Sequence, residues 1–193
     1  CTPVVFASSK LASYHRNAID KRDFQFQLCD TIEDIREGSN NLVLSWDDNV
    51  EITLGIPTDV SGAYALKSID AAIEAAKAGK IHALLTAPIN KHNIAASVEG
   101  FSGHTGYLAN QFGNEVLMIL TSDQLKVATV TGHVPISKVA EGITEASVGK
   151  AIELLALSLK RDFGIVKPRI AVLGLNPHAG EMGTIGSEEG ETI

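Results

Sequence analysis

The sequence has few cysteines, no long apolar run and no excess of positive charge, and each of these scarcities excludes a class of protein. Cys1 and Cys29 are too few for a disulfide framework or a thiolate metal site. The apolar runs are far shorter than the roughly 18 residues of a membrane-spanning helix. Lys and Arg number 16 against 23 Asp and Glu, and the formal net charge of −7 argues against a nucleic-acid surface.

The common nucleotide and nucleophile motifs are also missing. No Gly-x-Gly-x-x-Gly follows a strand and no Walker loop occurs, so a Rossmann dinucleotide site is not supported. No Gly-x-Ser-x-Gly elbow occurs, which disfavours serine hydrolase chemistry. An anionic substrate would therefore need local positive groups, namely a metal ion, a lysine or helix N-termini. The chain shows no signal peptide, which favours the cytoplasm, and both of its ends look cut.

The order of predicted elements indicates the fold class. Hydrophobic residues make up 45% of the chain and the mean hydropathy is +0.11, as in globular proteins. Strands are predicted at 4–7, 24–28, 42–46, 51–54, 81–85, 116–120, 125–130 and 169–173. Helical spacing of apolar residues predicts helices at 10–19, 61–78 and 136–141 and after Thr144. Another helix is predicted to start after His104-Thr105 and to run to about residue 112. This alternation predicts α/β layers with a mixed sheet, in a first domain over 1–100 and a second over 101–193.

Three short histidine segments carry most of the functional signal. His104 lies in Gly103-His104-Thr105, at a predicted helix start, where an imidazole and a hydroxyl suit a phosphate or carboxylate. His133 and His178 follow the predicted strands 125–130 and 169–173. Side chains at the ends of strands can converge on one cleft, where an imidazole can bind a metal, donate to an anion or move a proton.

Each candidate residue also has a purely structural interpretation. His133 would then be a turn histidine bonded to backbone, whereas the small neighbours of His178 favour a functional role. Thr105 would cap its helix and leave His104 solvated. Two other side chains have the same ambiguity: Lys91 could reach a substrate anion or lie free at the surface, and Glu181 could support a metal ligand or be solvated. Two histidines alone make an incomplete site, which needs a third ligand and usually a water.

Four segments occur in the same order as in one enzyme family: Thr86-Ala87-Pro88 with Asn90-Lys91, Phe101-Ser102-Gly103-His104-Thr105, Thr131-Gly132-His133-Val134-Pro135, and Leu175-Asn176-Pro177-His178-Ala179-Gly180-Glu181. The chain resembles the 4-hydroxythreonine-4-phosphate dehydrogenase family of pyridoxal 5′-phosphate (vitamin B6) biosynthesis over nearly its whole length. The resemblance implies the fold of the isocitrate and isopropylmalate dehydrogenases, in which two α/β domains with a mixed sheet enclose a cleft. Because family members are longer, it also implies an internal piece that lacks an N-terminal strand region and a C-terminal third.

The resemblance assigns roles to four residues. His104 and Thr105 match the substrate-binding pair, and His133 and His178 match two of three metal-binding histidines. The third metal histidine and most contacts to the nicotinamide cofactor, NAD or NADP, would lie outside this chain. The divalent ion would be Zn²⁺, Mg²⁺ or Co²⁺, in a site shared between the two subunits of a homodimer. The catalytic residues themselves stay unassigned.

The function that the resemblance implies is an NAD-dependent, metal-assisted oxidation and decarboxylation of 4-phosphooxy-L-threonine to 3-amino-2-oxopropyl phosphate. One alternative is a dehydrogenase of the same family that acts on threonate or erythronate 4-phosphate. Others are a metal-dependent hydrolase that uses the same histidines and a catalytically empty binding or assembly module. The chain alone is expected to show little or no turnover.

Overall fold

The computed structural model describes residues 1–47, 49–51, 53, 55–98, 100, 101, 103–113 and 115–193. The chain divides into two compact units, Cys1–Asn114 and Glu115–Ile193. This division lies after residue 114, whereas the sequence predicts a domain boundary after residue 100. Within the described part of the chain, no helix is both long and apolar enough to cross a bilayer.

The first unit is built on a parallel sheet of β1 (Val4–Ala7), β2 (Gln27–Cys29) and β3 (Asn41–Leu44), in the order β1-β3-β2. The middle strand β3 is buried, and Leu42 is fully inaccessible to solvent. The equally buried Asn41 satisfies its amide within the chain, since its Oδ1 accepts from the N–H of Arg36 at 2.8 Å and its Nδ2 donates to backbone carbonyls. A buried polar side chain is tolerated when its hydrogen bonds are made in this way.

The described residues of the first unit also form four α-helices: α1 (Ser9–Ala18), α2 (Asp59–Lys77), α3 (Lys91–Ala95) and α4 (His104–Phe112). The helix predicted at 61–78 is confirmed as α2, which begins earlier because Thr58 caps its first turn. Its apolar spacing buries Ile69 and Ile73 in the core beside the sheet. The helix α3 packs against α2 at Gly62, where a side chain would collide with the backbone of Asn93.

In the second unit, the strands predicted at 116–120 and 125–130 form and pair as an antiparallel hairpin of β4 (Ile119–Thr121) and β5 (Lys126–Ala128). Its long helix α5 (Glu145–Arg161) is capped by Thr144 and buries Val148, Leu155 and Leu159. A short helix α6 (Glu188–Glu191) lies near the end of the chain. The helix predicted at 136–141 is wrong: two 3₁₀ turns occur there, Ile136–Lys138 and Ala140–Gly142, and none of their residues is buried.

Two of the predicted strands do not form. Neither 81–85 nor 169–173 pairs with a strand in the described part of the chain, and Leu85 and Leu173 are 97% and 81% exposed. An apolar run becomes a strand only when a neighbour supplies hydrogen-bond partners for its backbone, and no described segment does so. The strand predicted at 51–54 lies partly outside the described residues. The described strands form one parallel and one antiparallel sheet, with helices between them in the sequence.

Candidate functional site

The first candidate site is the N-terminus of α4, which carries His104 and Thr105. Gly103 is the N-cap, with φ 120° and ψ −179°, and no side chain among the described residues caps the helix. Thr105 is the second residue of α4 and is exposed, so the interpretation of Thr105 as the cap is wrong. The free N–H groups of a helix start carry a partial positive charge, which favours an anion.

Lys91 lies against this helix start. A Cβ added to Gly103 would lie 3.1 Å from Cε and 3.4 Å from Nζ of Lys91. The ammonium therefore occupies the space beside the N-cap, and it has no hydrogen bond or ion pair with any described residue. Asn90 caps α3 and thereby places Lys91 there, because its Oδ1 accepts from the N–H groups of His92 at 3.0 Å and Asn93 at 3.3 Å.

His104 differs from a solvated surface histidine. The residue is half-buried, and its Nε2 is shielded from solvent without a hydrogen-bond partner among the described residues. A shielded polar nitrogen without a partner is unfavourable, and a ligand that formed a hydrogen bond with it would remove that cost. The imidazole of His104, the hydroxyl of Thr105, the ammonium of Lys91 and the helix N–H groups together suit a phosphate or carboxylate.

Sequence reasoning missed the residues that hold α4 in place. The hydroxyl of Tyr107 donates to Oδ1 of Asp70 on α2 at 2.6 Å, in a partly buried position. Burial and the neighbouring carboxylate of Asp70 together raise the pKa of Tyr107 to about 12, so the phenol keeps its proton. One feature of the sequence could have indicated this hydrogen bond: Asp70 is a carboxylate that directly follows the buried Ile69 in α2.

The second unit carries the two predicted metal ligands, His133 and His178. Both residues have left-handed backbone, with φ of 55° and 52°, and both are exposed. Neither imidazole has a hydrogen bond or ion pair with the described residues, so both rings are available as ligands. Their chemistry fits Zn²⁺ or a related divalent ion, for which neutral imidazole is a common ligand.

These two imidazoles are not a complete metal site. Among the described residues, no group of three or more His, Cys, Asp or Glu side chains is placed to hold a metal ion. Glu181 is exposed and has no side-chain hydrogen bond within the described chain, so no contact supports its predicted role beside a metal ligand. A divalent ion bound to His133 and His178 would need further ligands from elsewhere.

His178 lies in an uncommon backbone segment. The turn Pro177–Gly183 contains six successive residues with positive φ, from His178 to Gly183. Each non-glycine residue in this conformation costs about 1–2 kcal/mol, so surrounding contacts must hold the segment. Gly180 is buried at its centre, where a side chain would collide with the carbonyl oxygen of Gly186.

Asn176 and two glutamates of α6 supply part of that support. The N–H of Asn176 donates to Oε1 of Glu189 at 2.6 Å. Its Nδ2 donates to Oε2 of Glu188 at 2.7 Å and to Oε2 of Glu189 at 3.1 Å. The backbone and side-chain hydrogen bonds from Asn176 lower the pKa of Glu189, which therefore stays ionised as an acceptor.

The chain is similar in sequence to one protein family over its whole length. The family described as "Pyridoxal phosphate biosynthetic protein PdxA" matches residues 1–193. The chain belongs to the PdxA family. The family resemblance drawn from the four sequence segments is thereby confirmed.

Individual PdxA relatives agree with this assignment. A 4-hydroxythreonine-4-phosphate dehydrogenase of Bacteroides thetaiotaomicron is 40% identical over 195 residues, covering 100% of this chain and 53% of the relative. The crystal structure of such a dehydrogenase from Burkholderia phymatum matches with a TM-score of 0.83 at 33% identity, covering 100% of this chain and 59% of that one. The corresponding Klebsiella pneumoniae structure gives a TM-score of 0.79 at 26% identity, covering 96% and 57%.

These matches confirm the predicted α/β dehydrogenase fold for the PdxA chain. They also show that the chain spans between half and three fifths of the length of these relatives. The two site regions, at His104-Thr105 and at His133 and His178, fall inside the matched length.

Proposed function

We propose that this chain supplies the substrate-binding helix start and two metal ligands of an NAD(P)-dependent 4-hydroxythreonine-4-phosphate dehydrogenase. The activity after which the relatives are named supports this proposal. The observation on which it rests is that Lys91, His104 and Thr105 lie beside the uncapped N–H groups at the N-terminus of α4. This is a place for an anionic group on a chain whose net charge is −7.

The proposed reaction has two steps. In the first, the C3 hydroxyl of 4-phosphooxy-L-threonine is oxidised to a ketone: its proton is released and the hydride on C3 passes to NAD⁺. In the second, the bond between C1 and C2 of the 3-keto acid breaks, CO₂ leaves and C2 takes up a proton. The products are 3-amino-2-oxopropyl phosphate, CO₂ and NADH.

The residues of α4 would bind the phosphorylated end of the substrate. The ammonium of Lys91 would balance the charge of the phosphate, while the imidazole of His104 and the hydroxyl of Thr105 would donate hydrogen bonds to its oxygens. Fixing that end orients the C3 hydroxyl, which removes much of the entropy cost of the chemical step. The same contacts would serve threonate or erythronate 4-phosphate, so substrate choice depends on the other end of the molecule.

His133 and His178 would hold a divalent cation together with a third histidine outside this chain. When bound, a metal ion of this kind lowers the pKa of a coordinated hydroxyl, and the nicotinamide accepts the hydride. We place the third ligand and most of the cofactor contacts in the part of the relatives' length that this chain does not span. The proposal includes a homodimer that shares the metal site and a cytoplasmic location.

The test is an assay of NADH absorbance with the full natural chain and added divalent metal, comparing 4-phosphooxy-L-threonine, threonate 4-phosphate and erythronate 4-phosphate. The proposal expects NADH and CO₂ in equal amounts, with the highest kcat/KM for the threonine derivative. Release of inorganic phosphate without NADH would indicate the hydrolase instead. Faster oxidation of threonate or erythronate 4-phosphate would keep the family chemistry and replace the substrate.

Metal analysis tests the two ligands separately from activity. His133→Ala and His178→Ala should each lower the bound divalent metal per chain. His82→Ala is the matched control, because His82 is also exposed and lies in the first unit. Unchanged metal content in both ligand variants would remove the proposed metal site.

A further inference from the structure

The helix that carries the substrate pair has little apolar anchoring. None of the nine residues of α4 is buried, although the helix contacts α2. A helix without a buried stripe can slide or turn on its neighbour, because apolar packing does not define one orientation for it. The position of His104 and Thr105 therefore depends on specific polar contacts between α4 and α2.

Two such contacts join the helices, one near each end of α4. Near the N-terminus, the hydroxyl of Tyr107 donates to Oδ1 of Asp70 at 2.6 Å, partly shielded from water. Near the C-terminus, Nζ of Lys77 donates to Oε1 of Gln111 at 3.3 Å, in an exposed position. Hydrogen bonds to charged groups are stronger when they are short and shielded, so the Tyr107 contact is the better anchor.

Tyr107 also connects directly to the helix start. Its N–H donates to the carbonyl oxygen of the N-cap Gly103 at 3.1 Å, which closes the first turn around His104 and Thr105. Its ring packs against Phe101, with centroids 5.6 Å apart and planes tilted by 49°. Tyr107 lies three residues after His104, so the two side chains lie on the same side of the helix. A shift of Tyr107 would move the substrate pair with it.

We propose that the hydrogen bond between Tyr107 and Asp70 positions His104 and Thr105 for the phosphorylated end of the substrate. This inference rests on the proposed function. Tyr107 and Asp70 act here as positioning residues, since they fix the helix start from the side of α2. The ring contact with Phe101 limits the orientation of the phenol, and the carboxylate of Asp70 fixes the direction of its hydroxyl.

The experiment measures kcat and KM in the full natural chain with NAD⁺, metal and 4-phosphooxy-L-threonine. Tyr107→Phe removes only the hydroxyl, and KM for the phosphorylated substrate should rise about tenfold, with kcat within about twofold of wild type. KM for NAD⁺ should not change. Asp70→Ala should match Tyr107→Phe, and the double variant should be no worse than either single variant, because both changes remove the same bond.

Two further variants separate positioning from general stability. Asp70→Asn keeps an oxygen that accepts from Tyr107, so KM should return to within about twofold of wild type. Lys77→Met removes the contact to Gln111 at the other end of α4, and KM should stay at the wild-type value. Thermal unfolding of each variant gives its stability, so that a change in KM can be compared with any loss of stability.

The outcomes distinguish this inference from the proposed function. If Tyr107→Phe and Asp70→Ala leave KM unchanged while His104→Ala raises it, the positioning role is wrong and the substrate site stands. If His104→Ala also leaves KM unchanged, the substrate site itself is wrong. Equal rises in KM for Lys77→Met and Tyr107→Phe, or no recovery in Asp70→Asn, would also overturn the positioning role.

Discussion

The backbone N–H of Asn176 donates a 2.6 Å hydrogen bond to Oε1 of Glu189 and so ties the turn that carries His178 to α6. Glu189→Ala removes this acceptor, and the left-handed residues that follow Asn176 should relax towards ordinary backbone. Metal affinity should fall about tenfold, as it does when an outer partner of a metal ligand is lost. Equilibrium dialysis measures it, and Glu191→Ala on the same helix should leave it unchanged.

The same contact predicts a dependence of stability on pH. Because Asn176 lowers the pKa of Glu189 below its ordinary value of 4.5, the stabilisation is fully present above 4.5. It should disappear as the pH falls through the lowered value of the folded state. Denaturant unfolding at a series of acidic pH values should show that the free energy of unfolding falls more steeply with decreasing pH in wild type than in Glu189→Gln. Identical pH dependence in the two proteins would contradict this role of Glu189.

A methyl group added at Gly103 should lower both the stability of the protein and its affinity for the substrate. Gly103→Ala and Gly113→Ala both place alanine at positive φ, 120° and 62°. The loss of unfolding free energy should be about 1–3 kcal/mol at 103, where ψ is −179° and the backbone suits glycine almost alone. At 113, in the ordinary left-handed region, it should be about 1–2 kcal/mol. Only the alanine at 103 would press on Lys91, since no described atom lies within 4 Å of a Cβ at 113. Calorimetric affinity for the phosphorylated substrate should therefore fall in Gly103→Ala and stay unchanged in Gly113→Ala.

In an alkaline titration of the tyrosines, Tyr107 should lose its proton at an unusually high pH. Burial and the carboxylate of Asp70 raise its pKa to about 12, so its hydrogen bond should be intact below pH 10 and be lost as the pH rises through about 12. Ultraviolet difference spectroscopy should show that Tyr107→Phe removes the step nearest 12. Asp70→Asn should move that step to lower pH, and a step at the same pH in Asp70→Asn and wild type would contradict the contact.

Local signals in the sequence were sufficient for the two long helices, α2 and α5. Thr58 and Thr144 directly precede long helical patterns, and the side chain of each caps the helix that follows. The hairpin of β4 and β5 was also predictable, because its two strands are close in sequence and need no distant partner. In each case the residues that determine the element lie within or beside it.

Features that depend on distant residues could not be predicted. The runs 81–85 and 169–173 read as strands, yet a strand exists only with a paired neighbour. The positive φ of His178 depends on contacts around it, including that of Asn176 with Glu189, which is thirteen residues further along. The bond from Tyr107 to Asp70 joins residues that are 37 positions apart, and no motif marks it.

The assignment of His104 to the phosphorylated end of the substrate is the centre of this account, and isothermal titration calorimetry tests it most directly. The measurement compares 4-phosphooxy-L-threonine with unphosphorylated 4-hydroxy-L-threonine, in wild type and in His104→Ala of the full natural chain. We expect His104→Ala to weaken binding of the phosphorylated compound about tenfold, and that of the unphosphorylated compound by much less. Equal affinities of wild type and His104→Ala for the phosphorylated compound would contradict the assignment.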